Sequence, residues 1–118
     1  ERVEQTVVFE DIDGPVQLRG ISGIAGDPNP HLITRTSFAY LLTVINNGDT
    51  NHRLYIEGLN VQTNLLEPGE QETLIIYPDK EGNYKYFDKR QWLKPLGILE
   101  VITVVPSDEF SGIWRDLI

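Results

Sequence analysis

Two imidazoles, His31 and His52, and a scatter of carboxylates are the side chains in this 118-residue chain best suited to chemistry. An imidazole flanked by acids can hold a hard or borderline divalent cation. The chain has no cysteine, so it offers no thiolate ligand, no disulfide and no thiol nucleophile. His31 lies between Pro30 and Leu32 and reads as an exposed loop histidine. His52 follows the run Asn46-Asn-Gly-Asp-Thr-Asn51, and taken alone it is expected to be partly exposed at a strand start, bonded to a loop carbonyl. The acids Asp11, Asp13, Glu67, Glu70 and Glu72 fall at turns and outward strand positions, where carboxylates are ordinarily solvated. No G-x-S-x-G, phosphate loop or zinc spacing is present, and the Asp11-Ile-Asp-Gly14 run is too short for a calcium loop. These absences argue against an enzyme.

Contact chemistry is concentrated in two places. Lys85, Lys89, Arg90 and Lys94 interleave with Tyr84, Tyr86, Phe87, Trp92 and Leu93, so four of the ten basic residues fall within ten positions of an acidic chain. Aromatic and arginine side chains carry most of the energy of protein interfaces, which marks Lys89, Arg90, Trp92 and Leu93 as partner-binding residues. The alternative role for Trp92 and Leu93 is to plug one end of the core. After Pro106, Ser107-Asp-Glu can cap a helix whose Phe110, Ile113, Trp114, Leu117 and Ile118 share one stripe. So short a helix must dock, either on its own domain or on a partner or membrane surface.

The elements that would position these groups are strands. Residues 3–10, 16–24, 32–45, 52–58, 59–66, 72–77, 84–86 and 98–105 read as short β-branched or alternating runs, with turn formers about every 8–12 residues. Within the longest run, Phe38, Tyr40, Leu42 and Val44 share one face and Ala39, Leu41, Thr43 and Ile45 the other. Both faces are largely apolar, which predicts a central strand covered on both sides. The turn at 46–51 is attributed to the tolerance of Asn and Gly for positive φ. The expectation is an all-β, antiparallel Greek-key β-sandwich over residues 1–106, followed by a C-terminal helical segment at 107–118.

Asn51-His52-x-Leu-x-Ile56, Pro68-Gly69-Glu70, Gly82-x-Tyr84-x-Tyr86 and Gly97-x-Leu-x-Val101 resemble, in order and spacing, a cupredoxin of the small exported kind, or the copper domain of cytochrome c oxidase subunit II. The resemblance covers roughly residues 32–105 and implies the cupredoxin sandwich. It also implies four ligand positions: a His matched by His52, a Cys matched by Asp88, a His falling near Gln91, and an axial Met falling near Pro95 or Leu96. One ligand of four is present. Blue and binuclear copper sites need thiolate sulfur, so the resemblance carries a degenerate copper site and no cofactor is expected. A divalent metal at His52 with nearby acids is the remaining metal reading.

Composition sets the outer bounds. With 40% hydrophobic and 24% charged residues the chain can build a folded core, and disorder is disfavoured. A formal charge of −8 repels phosphate backbones, so no nucleic-acid partner is expected. No apolar run reaches the roughly 20 residues that span a bilayer. The absence of Met even at position 1 marks a processed or truncated product; export followed by cleavage, and so an extracytoplasmic setting, is the expectation, though simple trimming would leave the same start. The function expected is therefore a non-catalytic binding or scaffold domain in a larger or membrane-associated assembly. A metal carrier using His52 and a carbohydrate-binding or adhesion sandwich are the rivals.

Overall fold

The computed structural model describes residues 1–11, 14–89 and 94–104. Among these residues nine strands form two facing sheets: β1 (Arg2–Glu10), β2 (Gln17–Ser22), β3 (Leu32–Arg35), β4 (Ala39–Asn46), β5 (Leu54–Ile56), β6 (Val61–Gln62), β7 (Gln71–Ile76), β8 (Gly82–Asp88) and β9 (Gly97–Ile102). One sheet runs β2-β1-β4-β7 and the other β3-β9-β8-β5-β6. The all-β sandwich is as expected, with a refinement in its pairing: β1 lies parallel to β4 and β3 parallel to β9, so both sheets are mixed. The helical segment expected at 107–118 lies outside the described residues, which contain no α-helix.

The run read as one strand over 32–45 is two strands in different sheets. Residues 36–38 carry the chain across, with Ser37 at φ 70°, between β3 beside β9 and β4 beside β1. β4 also departs from the expectation of two covered faces. Tyr40, Leu42 and Val44 are fully buried against the other sheet, whereas the opposite face, including the Thr43–Thr73 hydroxyl pair at 2.8 Å, is only half-covered. A two-layer sandwich buries one face of each sheet, and the apolar character of Leu41 and Ile45 does not change that.

Inward side chains from both sheets make the core: Val7, Phe9 and Leu18 with Tyr40, Leu42 and Val44 from one, Leu32, Leu54, Ile56, Tyr86, Leu99 and Val101 from the other. Two tyrosines bring hydroxyls inside and satisfy them, Tyr40 on Gln5 Oε1 at 2.5 Å and Tyr86 on the Pro30 carbonyl at 2.8 Å. Burial raises the pKa of both phenols. Gly97 permits the second arrangement, because a Cβ there would lie 2.5 Å from the Tyr86 hydroxyl.

Candidate functional site

One end of the sandwich gathers the polar side chains that the strands leave there. Asn46 closes β4 and is fully buried. Its Nδ2 donates to the carbonyls of Thr50 and Leu66 at 2.8 Å, and its Oδ1 accepts from the Gly48 amide at 2.9 Å. The 46–51 turn is therefore built by one amide side chain; none of its residues has positive φ. Gly48 matters here for space. A Cβ on it would lie 2.2 Å from Asp11 Oδ1, so the bare backbone lets the chain leaving β1 bring Asp11 against the turn.

His52 stands at the end of that turn, paired backbone to backbone with Leu66 at 2.9 and 2.7 Å. Against the sequence expectation it is not exposed, and its ring meets carboxylates rather than a loop carbonyl. The residue is 2% exposed, and its ring stacks on Phe9 at 4.8 Å between centroids and 20° between planes. Nδ1 lies 2.7 Å from Asp88 Oδ2 and Nε2 lies 2.9 Å from Asp11 Oδ2. Asp88, the last residue of β8, is 1% exposed, and its Oδ1 faces the Arg53 amide at 3.4 Å. The Asp11 side chain is 10% exposed. It also accepts from the Thr50 hydroxyl and the Asp49 amide, each at 2.5 Å. Asp11 was read as a solvated turn acid; it is instead a member of the cluster.

The proton count follows from these distances. Neutral imidazole has one N–H, so it could satisfy only one carboxylate and would aim a lone pair at the other. Two acceptors at hydrogen-bond distance from the two nitrogens call for imidazolium. Burial alone would push the His52 pKa down, but the hydrogen bonds and charges of Asp88 and then Asp11 outweigh it, and the net direction is up. The Thr50 hydroxyl, chief among Asp11's donors, outweighs desolvation and holds the Asp11 pKa at about 2, with the Asp49 amide and His52 adding to it. The cluster is thus two carboxylates bridged by one cation.

Thr50 Oγ1 is also 3.3 Å from His52 Nε2, which sets a hydroxyl, an imidazole and a carboxylate in line. The hydroxyl proton points at Asp11, the nearer acceptor at 2.5 Å, and a doubly protonated ring has no free nitrogen with which to act as a base. Nor do the three side chains converge on a common cation. Two donors sharing a metal at about 2.0–2.1 Å each sit roughly 3.3 Å apart in tetrahedral geometry, whereas the ring's two nitrogens bond to different acids on opposite edges. Among the described residues no group of three or more His, Cys, Asp or Glu side chains could hold a metal ion.

Of the positions singled out from sequence, the structure brings together His52 and Asp88. Leu96 is half-buried against the core, and its amide donates to the Tyr86 carbonyl at 2.9 Å. Lys89 Nζ lies 2.8 Å from Gln62 Oε1 and 4.9 Å from the centroid of the Tyr55 ring, a cation–π contact on the outer face of β5. His31 is an exposed loop residue, as read, with its Nε2 2.8 Å from Glu100 Oε1. Arg90, Gln91, Trp92, Leu93, Phe110, Ile113, Trp114 and Leu117 lie outside the described residues.

The chain has the cupredoxin fold. It aligns with a multicopper oxidase variant from the hyperthermophile Aquifex aeolicus at TM-score 0.60 and 14% identity, over 83% of this chain and 26% of that one. A multi-copper oxidase from Pseudomonas thermotolerans matches at TM-score 0.60 and 19% identity, over 90% of this chain and 30% of that one. A purple cupredoxin from Nitrosopumilus maritimus matches at 0.55 and 17%, over 81% of this chain and 97% of that one. Identities this low carry the fold and no further. The chain spans between a quarter and a third of the two oxidases but is commensurate with the single cupredoxin. No protein-family model and no curated protein sequence matches it.

Proposed function

We propose that this domain is a non-catalytic cupredoxin-like module in which a buried Asp11–His52–Asp88 ion cluster stands where the fold's relatives hold copper, and that it serves as a binding or scaffold unit of a larger extracytoplasmic assembly. The observation that carries the reading is that both nitrogens of His52 are taken by carboxylates. The donor set agrees. The chain has no cysteine, and the position that the cupredoxin resemblance gives to the thiolate is Asp88, which meets His52 directly with no gap for an ion. Carboxylates are poor ligands for copper of the blue or binuclear kind. Thr50 directs its proton to Asp11 rather than to a base, which supports a non-catalytic role.

The assembly role and the setting are carried over from two sources: the resemblance to exported cupredoxins, and the oxidases in which a domain of this shape is a fraction of a longer chain. The contact elements are the loop from Lys89 through Arg90, Trp92 and Leu93, and the Phe110, Ile113, Trp114 and Leu117 stripe. Calorimetric titration of the apo protein with Cu(II), Cu(I) and Zn(II), alongside His52→Ala, tests the copper-free reading. Micromolar metal is expected to give no stoichiometric binding. One equivalent bound tightly by the wild type and lost in His52→Ala would overturn the reading in favour of a metal carrier.

A further inference from the structure

We propose that β7 is an interaction edge on which a second copy of this chain adds its own β7 antiparallel. The two four-stranded sheets then run on as one across a two-fold axis. The proposal does not depend on whether the His52 cluster excludes metal. Sheet edges are ordinarily defended against such pairing by shortness, by charge or proline, or by a covering segment. Among the described residues the two sheets have four edges, at β2, β7, β3 and β6, and three of them are defended. β2 is covered by the chain that follows it, through the Arg19–Pro28 bridge and the Asn29 amide on the Leu18 carbonyl. β3 has four residues, and its Ile33 carbonyl takes Gln5 Nε2 at 3.4 Å. β6 has two residues. β7 has six, with no lysine, no proline and no register shift against β4. Its single charge, Glu72, sits near the start of the strand and accepts from the Asn64 amide at 2.7 Å.

Register shows which backbone groups of β7 are free. The Asn46 amide donates to the Glu70 carbonyl at 2.8 Å, directly across the β4–β7 ladder. Even-numbered residues of β7 therefore turn their backbone toward β4, and odd-numbered ones turn it away. The two ends of β4 agree, since the Ala39 and Asn47 amides donate to the Glu1 and Phe9 carbonyls on the β1 side. Thr73 and Ile75 thus present N–H and C=O outward, and no backbone partner meets them among the described residues. The same edge carries the two most exposed large apolar side chains of the described residues, Ile75 at 60% and, just past the strand, Tyr77 at 75%. Leu41 of β4 lies beside Ile75. The occupant follows from self-complementarity. Residues 73–77 (Thr-Leu-Ile-Ile-Tyr) carry no charge, so two copies of a chain at −8 can meet there without apposing carboxylates. With Ile75 opposite Ile75 at the two-fold axis, each Thr73 falls opposite Tyr77 of the other copy. These side chains share the outer face with Leu41, and the outward amides and carbonyls pair.

The test is sedimentation and amide hydrogen exchange on the full chain at low and high concentration. A dimer is expected at about 100 μM that dissociates on dilution. In it the Thr73 and Ile75 amides should exchange at least about tenfold more slowly than in the monomer. The Leu74 amide, turned toward β4 in both states, should not change. Ile75→Lys sets two cations against each other at the axis and should weaken the dimer at least about a hundredfold. Ile21→Lys, at a 55% exposed site on the covered β2 edge, should leave it intact. Thr73→Pro removes an outward N–H while the backbone ladder to β4 stays whole, and it too should break the pairing. A wild type that stays monomeric, a dimer whose Thr73 and Ile75 amides gain no protection, or a dimer that survives Ile75→Lys would each overturn the proposal. Capture of a foreign strand at β7 by a chain that stays monomeric would also overturn it. Should Ile75→Lys fail to fold, Thr73→Pro decides: a dimer undiminished by it is then the overturning result.

Discussion

His52 was singled out by its place after an asparagine-rich turn, and Asp88 by its spacing past Tyr86, so two of the three cluster members were legible in the sequence. Asp11 was not. Its approach depends on β1 lying parallel to β4, with Phe9 opposite Asn46, and no local pattern announces a parallel pairing between residues nearly 40 positions apart. The role of Gly48 was hidden for the same reason: a glycine in an Asn-Gly turn is read for its φ, yet here it clears space for a carboxylate from another strand. Gly48→Ala should therefore displace Asp11 rather than strain the turn. The expected cost is about 1–3 kcal/mol by urea unfolding, and it should largely vanish in an Asp11→Ala background, where nothing is left to collide. Equal costs in both backgrounds would mean that the turn itself, and not Asp11, needs the glycine.

Strand existence was readable from alternation and turn formers, and most boundaries fall within two residues of expectation. What failed was the join at residues 36–38. An apolar run that continues through a sheet-to-sheet crossing has the same composition as one long strand, and only the left-handed Ser37 marks the break. The covering of β4 was overestimated because hydrophobicity on both faces does not say how many layers a fold has. Its buried face supplies a direct test. Leu42 is fully buried between the sheets, so Leu42→Ala should cost about 2–5 kcal/mol. Leu41→Ala, one position along and half-exposed, should cost well under half as much. Comparable losses from the two would indicate a third layer over the outer face.

For the whole molecule, the cluster sets a stability plateau. His52 has its pKa raised above 6.5 in the folded state, so its contribution is whole below about pH 6.5 and fades as pH climbs through the raised value. Asp11 falls from 3.8 to about 2, so its contribution is whole above about pH 4 and is lost as pH drops toward 2. At the rim of the site that acid limb is worth on the order of 1–2 kcal/mol. Unfolding midpoints measured from pH 2 to 9 should thus be highest between about pH 4 and 6.5, and the alkaline decline should flatten in His52→Gln. Burial raises Tyr40 and Tyr86 above their ordinary value of 10.0, and their own loss begins only beyond that pH, clear of the histidine limb.

The two parallel pairings also govern the order in which the chain can become a protein. β1 sits inside its sheet, between β2 and β4, yet it precedes both in the chain and must wait for residues 39–46 before its second neighbour exists. The other sheet waits longer, since β3 has no partner until β9 emerges at residues 97–102. The first sheet stays open until β7 is made at residues 71–76, and the second until β9 is made at residues 97–102. Such late, non-local closure predicts slow folding and a long interval in which β1 and β3 are exposed edges, open to capture by a chaperone or by another copy of the chain.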